Sequence, residues 1–161
     1  MAETAVINAS PLIFLSRGRC LNLLQLVADI VLVPESVAGE IRAKGNTDPT
    51  AQSLASTPWL HSISGIPTPP IIMSWGLGAG ESSVLAVAQA HPGMEAIIDD
   101  LAGRRCAALL GIPVRGTLGI VLTAKQRGVI PAARPVLEQL MASGLYLSRP
   151  VLNTALQRVG E

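Results

Sequence analysis

Short apolar runs recur along this chain, separated by stretches with helical character, and the runs are built almost wholly from Val, Ile, Leu and Ala. Residues 5–8 (Ala-Val-Ile-Asn), 29–33 (Asp-Ile-Val-Leu-Val) and 94–98 (Met-Glu-Ala-Ile-Ile) are the clearest. A strand wetted on one face alternates polar and apolar residues, whereas a near-continuous run is covered on both faces. Such strands alternating with helices describe a mainly parallel sheet between two helical layers. The expected fold class is therefore α/β.

The remaining elements follow from punctuation. Ser10-Pro11 can open a helical stretch over 12–27, which breaks near Gly18 into two short helices. Further helices are expected over 34–44, 49–56, 81–90, 101–110, 117–127, 131–143 and 150–159. Short strands are expected over 60–63 and 112–115, with an edge strand at Tyr146-Leu147. The stretch 59–72 is the least regular and carries Pro67, Pro69 and Pro70. No internal repeat occurs, and 161 residues suit one domain over 1–161.

Aromatic residues make up 2% of the chain and hydrophobic residues 49%, so the core must rest on aliphatic packing. Charged residues make up 14%, against roughly 25% in ordinary soluble domains. So few charges suggest a surface partly covered by a partner. The net charge of +1 gives no overall electrostatic footprint for nucleic acid, although pairs such as Arg104-Arg105 leave local basic clusters. Cys20 and Cys106 form no metal motif and read as small buried hydrophobes in a reducing compartment. The first four residues carry no basic start, and no apolar run approaches the roughly 18 residues of a membrane span. A soluble, cytoplasmic protein is expected.

Asp99-Asp100 stands where the apolar run 94–98 ends. Ligands of open α/β sheets gather at the carboxyl ends of strands. Two adjacent carboxylates there repel unless a cation or proton intervenes, which points to a divalent metal and to phosphate chemistry. Asp100 also suits the N-cap of the next helix, and Asp99 a solvated loop. Glu81 opens a helix, where the dipole alone favours an anion. Glu40 lies late in its helix, where the dipole disfavours it; pairing with Lys44 is the alternative to a metal role. Asn8 and Ser10 could cap the first helix. Thr117 could cap its helix or offer its hydroxyl to a phosphate. Arg104 and Arg105 could bind phosphate or point into water. There is no P-loop, and the glycines from Gly76 to Gly80 do not make a dinucleotide fingerprint.

The ends of these elements resemble the motifs of PIN domains. Val6-Ile7-Asn8-Ala9-Ser10 is similar to the opening motif. Val33-Pro34 with the helix carrying Glu40 is similar to the second, Gly78-Ala79-Gly80-Glu81 to the third, and Ile97-Ile98-Asp99-Asp100 to the fourth. The run from Gly111 to Gly119 resembles a branch of PIN-like proteins related to VapC toxins. The resemblance implies a three-layer α/β/α sandwich around a five-stranded sheet. It also implies a Mg²⁺ or Mn²⁺ site built from Asn8, Glu40, Glu81 and Asp100, with Asp99 as a further ligand. Single-stranded RNA would be the substrate, held by Ser10, Arg104, Arg105 and Thr117. A ribonuclease toxin with a cognate antitoxin, and a homodimer, are the expected partners and state. The alternative is a catalytically weak or inactive module that binds nucleic acid or a partner protein. One position departs from the family pattern: Asn8 stands where an Asp is usual, offering a carbonyl oxygen but no charge.

Overall fold

The computed structural model of the chain describes residues 2–161. Met1, where the N-terminal and domain expectations begin, lies outside the described residues. Five strands form one sheet: β1 (Ala2–Ile7), β2 (Ala28–Pro34), β3 (Leu60–Ile63), β4 (Glu95–Ile97) and β5 (Val114–Arg115). Their order is β3-β2-β1-β4-β5, and every neighbouring pair is parallel. This is the three-layer α/β/α architecture that the apolar runs demanded. In β1, Ala5, Val6 and Ile7 are each 0% exposed. Three successive side chains alternate faces, so both faces must be covered.

Nine α-helices among the described residues connect and cover the strands. They are α1 (Ala9–Arg17), α2 (Glu35–Arg42), α3 (Pro49–Ser56), α4 (Pro70–Met73), α5 (Ala79–Ala90), α6 (Leu101–Leu109), α7 (Thr117–Gln126), α8 (Ala133–Ala142) and α9 (Arg149–Arg158). A 3-10 helix, Leu21–Leu26, follows α1, so the stretch after Ser10 does divide near Gly18. Helix α5 lies against β1, β2 and β4 with α2 and α6 beside it, while α1 packs with α7 and α8. The largest fully buried side chains are all Ile or Leu. Phe14, Trp59 and Trp75 pack at the margin of the core, and Tyr146 stands in solvent.

Two expectations are corrected. Tyr146-Leu147 does not form an edge strand; the segment has no regular structure and no strand partner, and β5 remains the sheet edge. Leu145 is buried, Tyr146 exposed and Leu147 packed on the core, so its alternation comes from a linker pressed onto the helical layer. The stretch rich in proline contains the short helix α4. Pro70 sits at its first turn, where the missing N–H costs nothing and the fixed φ suits a helix.

Local anchors hold the ends of the structure. Arg115 donates from Nε and Nη2 to Glu95 and from Nη1 to Thr123, tying the two-residue β5 to β4 and α7. Both cysteines are free and buried, and burial raises the Cys20 thiol to about 11, in keeping with an inert structural role. Glu161 caps α8: its carboxylate accepts from Ala133 N at 2.6 Å and Arg134 N at 3.1 Å. The Ala133 bond chiefly holds this carboxyl below its ordinary value of 4.5. A lowered folded pKa contributes stability above the unfolded value and loses it as pH falls through the folded one. Glu161→Gln, a neutral isostere, is therefore expected to melt lower than wild type at pH 7. The two melting curves should converge as the pH drops well below 4.5. A gap that persists unchanged in acid would show that the charge is irrelevant.

Candidate metal and substrate site

The sheet changes direction between β1 and β4: from β1 the chain moves outward to β2 and β3, then returns to the other side as β4 and β5. The crevice at the carboxyl ends of these two central strands is where ligands of such sheets bind. Ile7 pairs with Ile97, and Asn8 N donates to Ile97 O at 3.0 Å, so Asn8 and the Asp99-Asp100 pair leave the sheet side by side.

Asn8 occupies the N-cap position of α1 but makes no cap hydrogen bond with its side chain. It is 4% exposed, one of three buried polar side chains among the described residues. Its amide turns toward the start of α5. A Cβ on Gly80 would meet Asn8 Oδ1 at 3.0 Å and Glu40 Oε2 at 3.9 Å. Glycine at this position therefore lets the α5 terminus close on two oxygen donors. Glu40 is exposed and does not pair with Lys44; the ion pairs among the described residues are Arg42–Glu35 and Arg115–Glu95.

The next residue carries the other half of the site. The Glu81 carboxylate folds over the N-cap of α5, 2.7 Å from where a Cβ on Gly78 would stand. A Cβ on Gly103 would lie 3.6 Å from Asp100 Oδ2 and 3.8 Å from Glu81 Cγ. Asn8 with Glu40, and Glu81 with Asp100, thus bracket the N-terminus of α5 from two sides. Its unpaired N–H groups and dipole favour anionic groups there.

Asp100 does cap α6: Oδ2 accepts from Gly103 N at 2.8 Å, leaving Oδ1 outside that bond. Asp99 is not a solvated loop charge. Its Oδ1 accepts from Thr117 N at 2.7 Å and its Oδ2 from Thr117 Oγ1 at 2.6 Å. An internal carboxylate thereby fills the anion position at the start of α7, and the amide and hydroxyl of the buried Thr117 are already engaged. Arg104 lies over Gly116, next to Asp99; its guanidinium occupies the space a Cβ on Gly116 would need. Arg104, Arg105 and Ser10 are exposed, and neither arginine belongs to an ion pair among the described residues.

Hard oxygen donors of this kind suit Mg²⁺ or Mn²⁺ by chemistry. Among the described residues, no group of three or more His, Cys, Asp or Glu stands in metal-binding proximity. Asn8 supplies a neutral oxygen to the set, and Asp99 is bound to Thr117. One contributor escaped sequence reading. Ser36 Oγ donates to Ser83 Oγ at 2.8 Å, locking α2, which carries Glu40, to α5, which carries Glu81. Gly80, one of the glycines before Glu81, supplies the clearance for Asn8 and Glu40 at the start of α5. Gly80→Ala is expected to change melting little, because alanine's helix preference of up to about 1 kcal/mol offsets the crowding of Asn8. A fall in Mn²⁺ affinity, read by calorimetry, should accompany it; unchanged affinity would remove Gly80 from the site.

A parallel five-stranded sheet between helical layers, with acidic side chains at the switch point between β1 and β4, defines an α/β protein with a polar crevice at one end of its sheet. A family model described as PIN domain matches residues 4–161, nearly the whole chain. The chain belongs to the PIN-domain family, and with it has a nuclease-type fold. No curated protein matches it.

Proposed function

We propose that this protein is a divalent-metal-dependent endoribonuclease acting on single-stranded RNA, and the toxin of a toxin–antitoxin pair. The observation that carries the reading is the bracket of Asn8, Glu40, Glu81 and Asp100 around the start of α5. Membership of a family with a nuclease-type fold supports it.

Asn8 Oδ1 and the carboxylates of Glu40, Glu81 and Asp100 would hold Mg²⁺ or Mn²⁺. Bound there, the cation would acidify a water and offset charge on the phosphate. Glu40, exposed at the rim, orients the attacking water and takes its proton. The α5 terminus holds the scissile phosphate against its N–H groups. Arg104, which joins no ion pair among the described residues, grips a non-bridging phosphate oxygen. The water oxygen bonds to phosphorus as the bond to O3′ breaks and O3′ takes a proton from solvent, leaving a 3′-hydroxyl and a 5′-phosphate. No covalent enzyme intermediate is needed.

The test is incubation of single-stranded and duplex RNA with Mg²⁺ and with Mn²⁺, and mapping of the product ends. Wild-type protein that cleaves neither substrate with either metal would end the enzyme reading. A second reading, a PIN module that binds nucleic acid or a protein without cleaving, is favoured by the neutral Asn8 and the absence of a three-carboxylate cluster among the described residues. Micromolar Mn²⁺ affinity would count against that module.

An antitoxin and a second copy of the chain are proposed partners. The low charge content and the exposed Leu101 and Leu109 of α6 support a covered surface. Among the described residues no helix is long and apolar enough to cross a membrane. Growth arrest on expression, relieved by Asp100→Asn, would support the toxin role.

A further inference from the structure

Helix α1 runs from Asn8 at the acidic crevice to Arg17, about 13 Å away at 1.5 Å per residue for its nine residues. At its far end a cleft of about 470 Å³ opens between the last turn of α1 and one face of α3. Arg17 and Arg19 line one wall; Pro49, Gln52, Ser53 and Ser56, spaced for one helical face, line the other. No lining residue is acidic. Neither arginine takes part in an ion pair among the described residues.

The donors can be sorted. Gln52 Nε2 already donates to Asn46 O, and Ser56 Oγ to Gln52 O. Among the described residues, the two guanidiniums and the Ser53 hydroxyl carry no such bond. The α1 dipole accounts for Arg17 in its last turn. It does not account for Arg19, which lies beyond the helix end in the left-handed region, at φ +56°. Two uncompensated arginines facing a hydroxyl-bearing helix form a receptor for a tetrahedral oxyanion, since guanidinium donors match phosphate oxygens in pairs.

We propose that this cleft is a second binding site, separate from the acidic crevice, that takes a phosphate-type oxyanion. Free phosphate and the terminal phosphate of an RNA share that chemistry. The test titrates the full chain with sodium phosphate at constant ionic strength, with chloride as control, following backbone amides by NMR. Saturable shifts are expected at Arg17, Arg19 and Ser53. The variant Arg17→Gln with Arg19→Asn should weaken binding at least about tenfold. Asn is chosen at 19 because it tolerates positive φ. Ser53→Asp, which puts a carboxylate into the cleft, should also abolish binding, and Asp100→Asn should leave it intact. Shifts no larger than those from chloride, or cleft variants that bind like wild type, overturn the site. A short oligonucleotide with a 5′-phosphate, compared with its 5′-hydroxyl form, assigns the source. Tighter saturation by the phosphorylated form than by inorganic phosphate points to RNA; equal binding points to the free anion.

Discussion

Asp100→Asn is expected to reduce Mn²⁺-dependent RNA cleavage by about a hundredfold or more, the scale on which metal sites and their immediate partners act. It should do so without unfolding the protein. Asp100 has a second, structural duty: its Oδ2 accepts from Gly103 N at the start of α6. Asparagine caps helices about as well as aspartate. The substitution therefore keeps the cap and removes the charge, separating two roles that one side chain performs. Melting temperature should hold within about 2 °C, since only a small part of a cap's roughly 1 kcal/mol is at stake. Full activity in the variant would reduce Asp100 to a helix cap. Loss of activity together with a large drop in melting temperature would leave the metal role without support.

Asn8→Asp should shift the protein in two opposite directions. Without metal, a carboxylate replaces a neutral amide at a site 4% exposed, near the Glu40 carboxylate across Gly80. Burial and a like charge both disfavour ionisation, so a loss of about 2–3 kcal/mol in stability is expected. With Mn²⁺ the same charge becomes an asset, because affinity at hard-cation sites rises with the number of charged ligands. Mn²⁺ should raise the melting temperature of the variant well beyond its effect on wild type, by linkage. Calorimetry should find binding about tenfold tighter or better. If Mn²⁺ stabilises both proteins equally, the Asn8 oxygen does not face the cation.

Much of the molecule was legible before folding. The residues of β1, β2 and β4 announced themselves because strands covered on both faces leave no polar alternation. Helix α3 began where Asp48-Pro49 placed a cap and a preset φ, and Asp48 does accept from Thr50 N and Ala51 N. Local chemistry misled at Tyr146-Leu147, where alternation reflects packing on helices. It was silent at Pro70, where proline starts a helix in a stretch that reads as irregular. In the site, the position of Asp100 before a helix was readable, and its cap bond follows from that position alone. The bonds of Asp99 to Thr117 and of Ser36 to Ser83 were not readable, since each joins elements distant in the chain.

The sequence by itself determined the type and order of most elements, the aliphatic core, and the caps that Asp48 and Asp100 supply. Those properties depend on backbone dihedrals and burial within a few residues, which side chains encode locally. Tertiary structure decided the strand order β3-β2-β1-β4-β5, and with it the neighbours of every site residue. Setting β1 beside β4 brings Asn8 level with the end of the strand that delivers Asp99 and Asp100, and α5 lies against both strands. It also spent Asp99 on the start of α7 and left Asp100 Oδ1 outside the cap bond. Two adjacent and chemically identical carboxylates acquired different duties because their surroundings come from distant segments, brought together by burial of the sheet on both faces.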